Sequence, residues 1–381
     1  MPRRATPLLL LACAALGDAF FSRDGAVTTK ASLRWVGPYP ALALRFPDLA
    51  TPAMRARGEQ GVTLEFVVDT AASVTTINAA VAAELALERV GAAAAGLGQG
   101  GELARGDNFL LGRCELGDPE LPSRRELDDP APLPLAAAAS AAFARGVVEH
   151  ASVEARTFNG AVFPAQGLLG GSFLNSFPGG VEFCWGDEPE TSPTITFLGE
   201  GELTAERAAG LRTAPVHALS ATGLPCVTLR VNGVGIPALL DTGSPVTVLN
   251  AAAAAAARVR VPHDAPAPPP PGADDATAAP ARGLVRSCRR RLRAARAKAR
   301  GDTLTLAASD GRRVTLELAA PAELALGGAS LGQASCCFVG ELPGLAALDG
   351  LGAKAGPAAV LGVDVLRTRP RMVYQAGRVL L

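Results

Sequence analysis

The sequence predicts a mostly β protein built from two related halves with a few short helices, and three observations carry that expectation. First, VVDTAASVTTINAA (residues 67–80) aligns with LLDTGSPVTVLNAA (residues 239–252) at Asp, Thr, Val, Thr, Asn, Ala and Ala, which is the signature of a repeated unit. Second, each copy follows short runs rich in β-branched residues. Third, each half carries an apolar-apolar-Gly landmark downstream, Leu168-Leu169-Gly170 and Val360-Leu361-Gly362, each followed by extended segments.

The elements follow in chain order. Arg3 and Arg4, an apolar run from Pro7 to Leu16 and the small residues Gly17-Asp18-Ala19 read as a signal peptide or bipartite targeting leader over residues 1–19. The run is too short to cross a bilayer comfortably, so no membrane span is expected once the leader is removed. Entry into the secretory pathway, secreted or endomembrane, is the expected route. An Ala19-Phe20 junction followed by Ser, Thr, Arg and Lys also resembles the bipartite plastid leaders of algae, which is the alternative.

The first half is expected over residues 31–200. GVTLEFVVD reads as one strand, and Asn78 stands where a helix N-cap would, ahead of AAVAAELALERV. A glycine-rich stretch from Leu97 to Gly106 and a Pro- and Ala-rich stretch from Pro119 to Ala144 follow. GGVEFCW and PTITFL read as strands, and residues 186–213, rich in Pro, Glu and Gly, as the linker between the halves.

The second half is expected over residues 214–381. VTLRVNGVGIPALLD reads as a hairpin about Asn232-Gly233, and Asn250 caps AAAAAAARV. An insertion at residues 262–300 begins extended and Pro-rich and ends in a basic run, Arg286 to Arg300. LTLAASDGRRVTLEL then predicts a hairpin about Asp310-Gly311.

Bulk properties narrow the function. The 381 residues, 49% of them apolar, suffice for two cores. Acidic and basic residues balance at 36 each, so net charge points to no nucleic-acid partner, and the basic run lacks the aromatic interleaving that stacks bases. Of seven cysteines, Cys13 lies in the leader; the other six permit disulfides, while adjacent Cys336 and Cys337 would bridge only with strain. The three histidines show no metal-ligand spacing, and no metal or other cofactor is expected.

The two Asp-Thr-small motifs, each behind two apolar residues and each with an apolar-apolar-Gly partner, resemble those of the aspartic proteases, both retropepsin-like and pepsin-like. The resemblance covers about residues 62–381 outside the insertions. It implies a bilobal acid-protease fold of two retropepsin-like β-barrel lobes on one chain, a monomer with an internal pseudo-dimer. It also implies a peptide or protein substrate. Asp69 and Asp241 would be the catalytic pair, since two facing carboxyls that share a proton can both activate water and polarise a carbonyl. By resemblance Thr70 and Thr242 fix the two loops across the interface, Gly243 and Ser244 complete the second loop, and Leu168-Leu169-Gly170 and Val360-Leu361-Gly362 thread behind the loops. Asp310-Gly311 would tip a flap, with a shorter second flap at residues 97–106.

Ala71, where the family has glycine, and Pro245, aligned with Ser73, depart from the pattern. A left-handed backbone at residue 71 would be strained. A pseudo-protease that holds extended peptides without cutting them is therefore the alternative, and a duplicated interaction module that uses the basic insertion is a third reading.

Overall fold

The computed structural model describes residues 29–92, 96–97, 103–104, 107–112, 114–116, 152–156, 165–186, 193–219, 222–261, 303–307, 313–334, 337–341 and 356–381. It is mostly β, with helices of four to six residues.

Each half centres on the same strand arrangement. In the first, Val62–Val68 pairs antiparallel with Tyr39–Phe46 on one side and parallel with Gly167–Leu169 on the other. Gly167–Leu169 pairs antiparallel with Thr76–Asn78, which pairs parallel with Ser152–Arg156. In the second, Val234–Leu240 lies between Pro225–Val231 (antiparallel) and Ala359–Leu361 (parallel). Ala359–Leu361 is antiparallel to Val248–Leu249, which is parallel to Phe338–Val339.

The expected turn at Asn232-Gly233 is a two-residue hairpin: Val231 faces Val234, and both turn residues have positive φ, 48° and 80°. That suits the right-handed strand twist. Thr303–Ala307 and Arg313–Leu318 pair antiparallel from Thr303↔Glu317 to Ala307↔Arg313. Asp310 and Gly311 themselves lie outside the described residues, as do residues 119–144 and the insertion at 262–300.

One expectation is corrected. The barrels are not closed: within the described residues each central sheet has two free ends, the Glu115–Leu116 and Arg89–Ala92 strands in the first and Thr303–Ala307 and Ala329–Ala334 in the second. The Ala-rich helices are short, as expected, at Ala79–Glu84 and Ala251–Ala256. Asn78 and Asn250 cap their starts by accepting from the amides of Ala80 and Ala253. Their ends share one device. Ala86 and Arg258 take positive φ, 49° and 53°, and the next amides reach back to Ala82 O (3.1 Å) and Ala254 O (2.8 Å). A left-handed residue with this backward bond closes the helix end against further winding.

A six-stranded sheet joins the halves. Its order is Thr29–Ser32, Thr194–Leu198, Gly180–Cys184, Arg371–Gln375, Arg378–Leu380, Thr213–Pro215, three strands from each half. Thr194–Leu198 lies within the stretch expected as linker, and its Ile195, Phe197 and Leu198 are buried. At the central pair, Glu182 is 3% exposed and ion-paired with both Arg207 and Arg371.

Candidate active site

Each aspartate sits where a strand ends. Val62–Val68 delivers Asp69 and Val234–Leu240 delivers Asp241, and the threaded strand holds each backbone: Asp69 N donates to Leu169 O and Asp241 N to Leu361 O, both at 3.0 Å. Leu168, Leu169 and Gly170 thus stand behind the first loop as Val360, Leu361 and Gly362 stand behind the second. The glycines allow this. A Cβ on Gly170 would lie 2.6 Å from the carbonyl carbon of Val74, and one on Gly362 would lie 2.5 Å from Val246 O, inside any real carbon contact.

The threonines link the loops reciprocally. Thr70 Oγ1 donates to Leu240 O (2.6 Å) and accepts from Thr242 N (3.0 Å); Thr242 Oγ1 donates to Val68 O (2.6 Å) and accepts from Thr70 N (3.1 Å). Each hydroxyl spends its donor and one acceptor on the opposite half, and both side chains are buried.

A second pair of brackets was not anticipated. In the first half, Gly170 N donates to Thr75 Oγ1, and Thr75 N donates to Ser172 Oγ (2.9 Å). In the second, Gly362 N donates to Thr247 Oγ1, while Thr247 N and Oγ1 donate to the Asp364 carboxylate at 3.0 and 2.7 Å. The repeat alignment contained the signal, since Thr75 falls on Thr247 and Ser172 on Asp364. Burial raises the Asp364 carboxyl, opposed by the hydrogen bonds from Thr247 and Val365.

Asp69 and Asp241 are 6% and 7% exposed. Asp69 Oδ1 accepts the amides of Ala71 (2.8 Å) and Ala72 (3.0 Å). Asp241 lies within hydrogen-bonding reach of Asp69, and its carboxyl is held well above the usual range, first by burial, then by the charge of Asp69 and the hydrogen bond to it. The amides of Gly243 and Ser244 lean toward it and act the other way, yet Oδ1 of Asp241 is buried without a hydrogen-bond partner among the described residues.

Gly243 approaches the opposite acid directly, and an added Cβ would lie 2.6 Å from Asp69 Oδ2. Ser244 Oγ donates to Val246 O (2.8 Å) within its own loop. Residue 71 avoids the left-handed backbone that would strain an alanine: the positive-φ residues other than glycine are Ala86, Asn232 and Arg258 among those described.

Tyr39 is the neighbour that sequence reasoning missed. Its phenol is pushed up by burial first and then by the charges of Asp241 and Asp69. It starts a strand that is buried along most of its length and carries no motif. Among the described residues no three His, Cys, Asp or Glu side chains cluster to hold a metal ion.

No protein-family model matches the sequence, and no curated protein does. Among solved structures, basic 7S globulin from soybean is similar at a TM-score of 0.35 and 10% identity, over 93% of this chain and 95% of that one.

Proposed function

We propose that the chain is an aspartic endopeptidase of two retropepsin-like lobes, formed by internal duplication, that cleaves an extended peptide lying between them. The observation that carries this reading is the pair of buried carboxyls, one from each half, within hydrogen-bonding reach, with one held well above its ordinary range. Like charges this close do not both ionise. The pair therefore keeps one proton and one charge, the combination needed to activate a water and polarise a carbonyl together. The four threonine bonds support the reading, because they fix the loops that carry both acids. The hairpin from residue 303 to 318 would close over the peptide. Delivery through the leader into the secretory pathway is part of the same proposal.

The test is cleavage of a diverse peptide library by the purified chain from acid to neutral pH. Wild type should cut and bind a pepstatin-like inhibitor, and Asp69→Asn and Asp241→Asn should each lose about 10²–10⁴-fold or more. A library left intact at every pH rejects the proposal, and saturable peptide binding without turnover would select the binding-only reading instead.

A further inference from the structure

The correspondence between the halves reaches upstream of the Asp-Thr motifs. Val67 and Leu239 each lie two residues before an acid; Val67 pairs with Ala41 and Leu239 with Cys226. Pro40 therefore falls on Pro225 and Tyr39 on Leu224. Each of these last two closes a short hairpin. Val36 pairs with Tyr39 in the first half, and Leu219 N donates to Leu224 O in the second.

Both hairpin tips lie on the side of their sheet that leads to the acid. Side chains alternate along a strand, so Val67 shares a side with Asp69 and Leu239 with Asp241, while Phe66, Val68 and Leu240 turn into the main core. The threaded strands place Leu168 next to Val67 and Val360 next to Leu239. Two small apolar clusters result, one per half. Tyr39 and Val36 pack against the cluster of Val67 and Leu168, as does Ala72, whose amide holds Asp69. Leu224 and Leu219 pack against the cluster of Leu239 and Val360. The four tip residues are half-buried, so each keeps surface to offer. Burial first, and then the charges of Asp241 and Asp69, raise the Tyr39 phenol, so its ring is uncharged from acid to neutral pH.

The equivalent tips differ in kind, one aromatic and one aliphatic. An aromatic side chain laid on a ring gains more than the area it covers, whereas on leucine it gains only the area. We propose that Tyr39 and Leu224 are specificity-determining residues that give the peptide one direction between the halves. The side chain flanking the cut bond on the first-half side packs on Tyr39 and is selected for a ring. The side chain flanking it on the other side packs on Leu224 and is not. A peptide bound in the reverse direction exchanges these contacts and loses the gain. This deepens the peptidase reading and rests on it.

The experiment uses the full-length chain and a peptide series with Phe or Leu at each of the two positions flanking the cut bond. The readout is the Phe-to-Leu ratio of kcat/KM at each position. Tyr39→Leu should lower the ratio about 2–10-fold at one position only, and Tyr39→Phe, which keeps the ring, should leave it within about twofold. Leu224→Tyr should raise the ratio by a similar factor at the other position, and it serves alone if Tyr39→Leu fails to fold. Ratios that neither residue moves, a shift by both at the same position, or a Tyr39→Phe variant that behaves as Tyr39→Leu overturns the proposal. If wild type cuts none of the peptides, their equilibrium binding is compared instead. The same shifts in binding then reject the peptidase reading and support the unequal tips, and their absence rejects both.

Discussion

Thr242→Val keeps the shape of the side chain and removes only its hydroxyl, so it isolates half of the link between the loops. Thr242 is fully buried, and the substitution deletes the bond to Val68 O and the bond from Thr70 N. Two buried backbone groups are left without partners, at about 1–3 kcal/mol each, so a loss of roughly 4 kcal/mol is expected. Thr242→Ser retains both bonds and loses one methyl group, about 1 kcal/mol. Urea unfolding followed by fluorescence measures the difference, since both tryptophans, Trp35 and Trp185, lie together at 6.3 Å between ring centres. The same variants assayed for cleavage should fall in the same order. A valine variant within about 0.5 kcal/mol of wild type, or a serine variant as damaged as valine, would refute the role given to the hydroxyl.

Three further outcomes are expected. Glu182→Gln removes a buried charge held by Arg207 and Arg371, both about 30% exposed, and should destabilise by about 2–3 kcal/mol in urea unfolding, with little effect of added salt. Gly362→Ala places a Cβ against the Val246 carbonyl and should cost about 1–3 kcal/mol or prevent folding, whereas Gly377→Ala, with open space around it but φ of 86°, should lose about 1 kcal/mol; comparison of Tm separates crowding from backbone strain. Asp241 is raised in the folded chain above its ordinary value of 3.8, so between that value and the folded midpoint the folded state binds the extra proton. Its contribution is complete in acid and is lost as pH rises through that window; Asp364 acts with the same sign. Asp241→Asn should flatten the fall of Tm with pH, and an unchanged slope would count against the burial of that acid.

What could be read from the sequence was local. A two-residue Asn-Gly turn, an asparagine ahead of an alanine run and a repeated Asp-Thr motif each act within a few residues, and the chain folds at those places as their chemistry requires. The threonine bonds join residues 172 positions apart, so only the resemblance of the motif to a known family pointed to them. Where the short helices end was not legible, because the ends are set by left-handed residues, Ala86 and Arg258, whose types do not advertise that conformation. Thr194–Leu198 was legible as a strand from its own TITFL pattern, but its place in a sheet shared by both halves was not, because its partners lie far away in sequence. Ala71 was the subtlest case. Its type signalled a departure, but only the backbone shows that residue 71 stays out of the left-handed region where an alanine is strained.

The shared sheet and the threonine link are two joints in series. From Leu169, whose carbonyl holds Asp69, the chain runs through the Gly171–Leu174 helix directly into Gly180–Cys184, at the centre of the six-stranded sheet. From Leu361, which holds Asp241, it runs through Val363–Leu366 into Arg371–Gln375, the partner of that same strand. Each acid is therefore about a dozen residues from the Glu182 ion cluster along a path of one strand end, one helical turn and one strand start. Loosening the central pair releases both paths at once, because Glu182 and Arg371 lie on the two strands that meet there. Glu182→Gln and Thr242→Val should accordingly be non-additive, with the double variant less damaged than the sum of the singles, since both weaken the same path from the sheet to the loops. Strict additivity would mean that the sheet and the loops hold the halves together independently.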